Sequence, residues 1–397
     1  MEQEQKKISA LPNYDNCLVN LANSVLSKFG AKTIHDTLPM ADELLASDYK
    51  NVVVLVLDAM GVSILEKHLD KEGFFRSHVV GSYDSVFPPT TVAATTSLMS
   101  GLYPNEHGWL GWDIYYPKLE KNVTVFRNIE QKTERQDAKP ELGADGRSVW
   151  TKDSLDPDKP AADYHVGFRY TPYKNIVDAI NEAGGRAYFS MPFMPPFPQD
   201  LEAILSRVKS LCDEPERKFI YAYWSEPDST MHRTGTVSSE THEMVTSLEK
   251  RIEEFASDLK DTLLLITADH SHVDCDNICL LDHPEVTDCL VRLPSLEPRV
   301  MSFFVKVDKK ADFPEIFTKN FGDGFLILTG DEAVSMDVFG IGEDREDLRG
   351  MLGDYVVFST SPKAIFNTHI EAQEMPGGHA GLTAEERIIP LIAVKID

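Results

Sequence analysis

The chain has 397 residues, 42% of them hydrophobic and 9% aromatic, enough to bury a large globular core. Its 64 acidic side chains outnumber 39 basic ones, for a net charge of −25. So acidic a surface repels nucleic-acid backbones and anionic membranes, which excludes a nucleic-acid polymer and a membrane as partners.

The opening MEQEQKKISALPNYDN has no apolar stretch of the secretory-signal kind. No segment approaches the roughly 18 consecutive apolar residues of a membrane span. Five cysteines (Cys17, Cys212, Cys275, Cys279, Cys289) are an odd number, widely spaced, and fit reduced thiols in a cytoplasmic protein better than a disulfide framework. Cys275, Cys279, His283 and Cys289 match no common zinc-finger spacing.

The first 48 residues read as helical, with CLVNLANSVLSKFG at helical spacing and Gly30 as a stop. NVVVLVL is a continuous β-branched run, the pattern of a strand buried on both faces. SILEKHLDKEGFF has helical character and GSYDSVF that of a short strand. Pro88 and Pro89 delay the next helix to about Thr90, and Gly101 stops it. Residues 112–165, rich in charge, tyrosine and proline, read as an excursion above the sheet that caps the substrate side. The α/β alternation resumes with NIVDAINEAGG, RAYFSMPF, LEAILSRVKSLC, FIYAYW, a long amphipathic helix from Val237 to Lys260, and TLLLITA. Residues 290–370 read as an inserted small α+β subdomain, and IIPLIAVKI as a closing strand. The expected fold is α/β, a doubly wound and mostly parallel sheet, with a catalytic domain of residues 1–290 and 370–397.

In such sheets ligands bind beyond the carboxyl ends of the strands. Asp58 ends NVVVLVLDAMG, Asp269 and His270 end TLLLITADH, and Asp228 with His232 follows FIYAYW in WSEPDSTMH. His379 lies in PGGHAG. Carboxylate and imidazole together suit zinc, and the four-residue spacing of Asp228 and His232 puts both on one helix face. Thr91, in FPPTTVAATTS, is the best nucleophile, because two threonines directly after Pro-Pro are not explained by helix packing. Thr90 is its rival. A threonine hydroxyl needs metal coordination to become reactive, and a helix start favours phosphate. His107 reads as a site residue or, in preference, a loop-fixing histidine, and His272 as a neighbour of the ligands or solvent-facing. Tyr223, Trp224 and the aromatics of 109–116 read either as a wall for a leaving group or as core.

LVLDAMG, FPPTTVAATTSLMSGLYPNEHG, EPDSTMH, TADHS and PGGHAGLTAEERIIPLI, in this order, resemble the alkaline phosphatase superfamily, and within it the nucleotide pyrophosphatase/phosphodiesterase branch. The resemblance implies an alkaline phosphatase-like fold and two divalent ions: zinc, with manganese as the alternative. One ion would sit on Asp228, His232 and His379, the second on Asp58, Asp269 and His270. Thr91 would touch the second ion and carry a covalent phosphothreonine. The implied substrate is a small phosphate-containing molecule, nucleotides among them, cleaved at a diester or pyrophosphate bond. A phosphomonoester or a phosphonoacetate-type carbon–phosphorus bond is the alternative. Diesterases of this branch often carry asparagine three residues after the nucleophile, where this chain has Ala94.

Overall fold

A computed structural model describes residues 11–143 and 148–397; the reading made on residues 1–10 lies outside them. The strands of the central sheet are β1 (Asn51–Leu57), β2 (Val79–Asp84), β3 (Ala187–Ser190), β4 (Lys218–Trp224), β5 (Thr262–Thr267) and β6 (Ile388–Ile396). Their order is β2-β6-β5-β1-β4-β3. β1 is buried at all seven positions and pairs in parallel with β4 and β5. Enclosure on both faces selects its unbroken Val/Leu composition, since no position faces water. β6 alone runs against the others, antiparallel to both β5 and β2. The doubly wound, mostly parallel α/β sheet expected from the sequence is present.

Helices cover both faces. In the N-terminal segment the helices are Leu18–Lys28 and Pro39–Leu45, and the first is buried from Leu18 to Leu26. The helix carrying Thr91 spans Thr91–Ser100, with Thr90 as N-cap and Gly101 at φ 72° as its left-handed stop. The long amphipathic segment forms Ser239–Ser257, capped by Ser238, whose hydroxyl accepts from the Thr241 N–H.

A second sheet of seven strands accompanies the first. It contains Asp113–Tyr116, Lys121–Thr124 and Ile129–Glu130 from one excursion, and Ser295–Glu297, Val300–Phe303, Phe325–Thr329 and Tyr355–Ser359 from the other. The sequence reads these regions as two separate excursions, whereas the structure joins them edge to edge where Leu296 pairs with Asp113. That pairing is between strands about 180 residues apart, and periodicity, a local signal, carries no trace of it. No helix among the described residues is long and apolar enough to cross a membrane.

Candidate active site

The parallel strands point their carboxyl ends at one edge of the sheet, and the expected ligands gather there. Asp58, Asp269 and His270 form one group, and Asp228, His232, His272 and His379 another. Within each group the donor atoms lie within 4.8 Å of one another. The two groups abut, with the His270 and His379 rings stacked at 4.0 Å between centroids.

Local folding explains how each donor arrives. The Asp58 N–H donates to the Trp224 carbonyl, continuing the β1–β4 ladder one residue past β1. Asp228 opens the helix Asp228–Thr234, so His232 stands one turn away on the same face. Asp269 Oδ1 accepts from the N–H groups of Ala59 (3.1 Å) and His270 (3.0 Å). Gly377 passes so close to the Asp228–Thr234 helix that a Cβ there would lie 2.4 Å from the Met231 carbonyl oxygen. Only glycine brings the His379 loop against it. Ala59 and Ala380, directly after Asp58 and His379, have φ of 60° and 83°. Non-glycine residues in the left-handed region cost about 1–2 kcal/mol each, and such strain gathers at functional sites.

The tautomers are set for coordination. His270 Nδ1 donates to the Ser271 carbonyl and His232 Nδ1 to the Gly377 carbonyl, both at 3.0 Å. Each Nε2 is then left with its lone pair facing the carboxylates. Burial, with His270 alongside, holds His379 well below the usual imidazole range, and burial holds His272 down to about 4. Both therefore stay neutral, the form that binds metal. Burial, then the Asp269 and Asp228 carboxylates, pushes the Asp58 carboxyl well above its usual range. Among the described residues no lysine or arginine pairs with these three aspartates, whose ion-pair partners are the histidines alone. Asp269 Oδ2, His272 Nδ1 and His379 Nδ1 are buried without a hydrogen-bond partner. Crowded carboxylates, neutral imidazoles and orphaned polar atoms are what divalent cations would satisfy, and the donor set fits them.

Of the two readings of His272, neighbour of the ligands or solvent-facing, the structure supports the first. His272 is fully buried, not solvent-facing, and its Nε2 lies 2.8 Å from Asp228 Oδ1. The available signal was its position two residues after His270, since alternate residues of an extended segment share a side. His107 fixes its loop as expected: its Nδ1 accepts from the Trp109 N–H and its Nε2 donates to Ser97 Oγ, each at 3.0 Å. Tyr223 donates its hydroxyl to Asp58 Oδ2, so it orients that carboxylate and walls no leaving group. Cys275, Cys279, His283 and Cys289 do not converge into one group.

The two threonines part company. Thr91 Oγ1 lies 3.3 Å from Asp58 Oδ2 and 3.2 Å from His270 Nε2. Thr90 instead donates to Glu297 Oε1 at 2.7 Å, which also accepts from the Trp112 N–H. Thr91 lines a cleft of about 320 Å³. Trp112, Leu296 and Phe366 give this cleft apolar walls, and Glu297, Asn367 and Glu371 add polar groups. Of the 109–116 aromatics, Trp112 is thus wall, while Trp109 and Tyr116 are core. Ala94 is fully buried among the residues of the main core.

Glu297 had no signature in the sequence. Burial raises its carboxyl to about 8. A raised folded-state value means that the folded protein holds this proton more tightly than the unfolded chain. Stability from this group is therefore complete below the ordinary glutamate range and is lost as pH rises from about 4.5 to about 8. Glu297→Gln keeps the acceptor for Thr90 and Trp112 but has no proton to lose. Denaturation midpoints of the two proteins should agree near pH 5 and diverge by pH 9, with the variant more stable; parallel curves would refute the assignment.

The fold is similar to murine ectonucleotide pyrophosphatase/phosphodiesterase 5, with a TM-score of 0.61 at 15% identity over 86% of this chain and 87% of that one. The human counterpart gives 0.60 at 14% identity over the same shares. An inactive threonine-to-alanine variant of the murine protein in complex with AMP gives 0.58 at 15% identity, again over 86% and 87%. No curated protein matches by sequence. The description of type I phosphodiesterase / nucleotide pyrophosphatase matches residues 52–318, two thirds of the chain. The chain belongs to the type I phosphodiesterase / nucleotide pyrophosphatase family, within the alkaline phosphatase superfamily.

Proposed function

We propose that this protein hydrolyses phosphodiester or pyrophosphate bonds of a small molecule, a nucleotide among the candidates, with Thr91 as nucleophile. The observation that carries the reading is the place of Thr91 Oγ1, against Asp58 and His270 in the lining of the cleft. One divalent ion would be held by Asp228, His232 and His379, with His272 beside Asp228, and a second by Asp58, Asp269 and His270. Zinc suits these donors best, with manganese as the alternative. Bound, the ions would supply the charge that acidifies the Thr91 hydroxyl and offsets negative charge on the phosphoryl oxygens. Two divalent ions against Asp58, Asp228 and Asp269 leave a net charge of about +1, which a deprotonated Thr91 brings to about zero.

The chain's own groups prepare the rest. Thr91 attacks phosphorus, the alcohol or phosphate on the far side departs, and water then hydrolyses the phosphothreonine. The free N–H groups of the first turn of Thr91–Ser100 would be available to the phosphoryl oxygens. Glu297 holds Thr90 away from competition, and Tyr223 fixes the Asp58 carboxylate. A cleft of about 320 Å³ far exceeds an inorganic phosphate, which favours a substrate with an organic second substituent. AMP in the relative's complex supports a nucleotide in that role. We also place the protein in the cytoplasm, a reading that its five unpaired cysteines support.

A phosphomonoester or phosphonoacetate would use the same residues, so substrate comparison decides between the readings. Metal-loaded protein should cleave bis-p-nitrophenyl phosphate faster than p-nitrophenyl phosphate and leave phosphonoacetate intact. Preference for phosphonoacetate, or for the monoester, would reject the diesterase reading.

A further inference from the structure

A third group of donors stands outside the site already described. Cys279, Asp282 and His369 each offer a ligand atom, all within 4.8 Å of one another. Cys279 ends the strand Asp276–Cys279, which pairs in parallel with Lys363–Phe366. His369 opens the helix His369–Glu374 directly after that partner strand. Asp282 lies in the turn Leu280–Asp282 that follows Cys279. The small parallel sheet thus delivers a thiol, a carboxylate and an imidazole to one point.

His369 stands between two carboxylates, Glu134 on Nδ1 and Asp282 on Nε2, and forms ion pairs with both when protonated. Its Nδ1 lies 2.9 Å from Glu134 Oε2 and 3.1 Å from Glu134 Oε1, and Glu134 also accepts from the His369 N–H. A carboxylate on Nδ1 fixes the proton there and turns the Nε2 lone pair outward, as behind metal-bound histidines. That Nε2 faces Asp282 Oδ1 at 3.1 Å. Two lone pairs at that distance repel unless a proton or a cation lies between them. Trp150 stacks on the ring at 4.2 Å and 10°, which holds its plane. Cys279 is buried, as a sulfur ligand generally is, and Asp282 is open to solvent, which gives an ion its path in.

We propose that Cys279, Asp282 and His369 form a third, separate binding site for one divalent ion of the zinc class, with Glu134 orienting His369. Thiolate, imidazole and carboxylate in one site select a borderline-soft ion over calcium or magnesium. On binding, the Cys279 thiol gives its proton to solvent as the metal–sulfur bond forms. Three protein donors leave a fourth tetrahedral position for water. The ion would tie residues 279–282 and the start of His369–Glu374, with Glu134 of the 112–165 excursion, into one unit. That helix carries Glu371, and Asn367 precedes it; both line the cleft, so occupancy would stiffen a cleft wall without touching the reacting atoms.

Sulfur makes the test independent of catalysis, because neither of the other two donor groups contains a cysteine. Chelator-stripped full-length protein is titrated with cobalt(II). A near-ultraviolet thiolate-to-cobalt charge-transfer band should appear, persist in Cys275→Ser and vanish in Cys279→Ser. In Asp282→Ala, a surface change that spares the fold, the midpoint of the titration should move to at least tenfold higher cobalt. Absence of the band in the wild-type protein, or its survival in Cys279→Ser, would overturn the proposal. So would an unshifted titration in Asp282→Ala. Activity plays no part in any of these readings, so failure here leaves the hydrolytic site untouched.

Discussion

Thr91→Ala should lose at least about 10⁴-fold in kcat on a diester substrate, about 5.5 kcal/mol of barrier, while the protein stays folded. The size follows from the role proposed for Thr91: without its oxygen no phosphothreonine forms, and only binding and electrostatics remain. Stability should hold because the Thr91 hydroxyl caps nothing in its helix and alanine is the better helix former. Thr91→Ser keeps a hydroxyl and should retain measurable turnover. Thr90→Val removes a hydroxyl one residue away, but one committed to Glu297, and should cost far less than Thr91→Ala. Steady-state kinetics and thermal denaturation on the three variants give both readings. An active Thr91→Ala protein, or equal losses at the two threonines, would remove the nucleophile assignment.

Sequence alone separates these threonines poorly, and the reason is physical. Both follow Pro-Pro at a helix start, and only the register of that helix against β1 and β5 decides which hydroxyl meets Asp58 and His270. The candidate ligands were more legible. Each sits at or just past an apolar run long enough to cross the sheet, and parallel strands point their carboxyl ends one way, so local pattern fixed a shared location. His272 was harder, because its burial depends on the Asp228–Thr234 helix and the Gly377 turn closing over it from distant segments. Glu297 left no trace at all: a lone acid in SLEP becomes a cleft residue only once Ser295–Glu297 joins Asp113–Tyr116 in the second sheet. The same pairing merged the two excursions into one layer.

The joint between the layers supports the second large prediction. Arg299 and Glu386 are both buried to within 1% exposure and meet in a two-pronged pair, Nε to Oε1 at 2.6 Å and the second prong to Oε2 at 2.8 Å. Arg299 also donates to the Lys363 carbonyl, and Glu386 accepts from the Gly381 N–H and the Thr383 hydroxyl. Arg299 belongs to the second-sheet segment, whereas Glu386 closes the loop that carries His379 just before β6. Glu386→Ala would strand a buried guanidinium and should cost about 3–5 kcal/mol, measured by urea unfolding. Arg299→Met should cost a similar amount by stranding the carboxylate. The combined Arg299→Met, Glu386→Leu protein should recover much of the loss, because the penalty lies in an unpaired buried charge more than in the pair itself. Catalysis would not recover with it: Gly381 and Thr383 would still lack the acceptor that holds the His379 loop. Metal affinity at Asp228, His232 and His379 should therefore remain weakened in the double variant even where its stability returns. A double variant with both restored would show that the pair serves folding alone, and a loss below about 1 kcal/mol in Glu386→Ala would show that water reaches the joint.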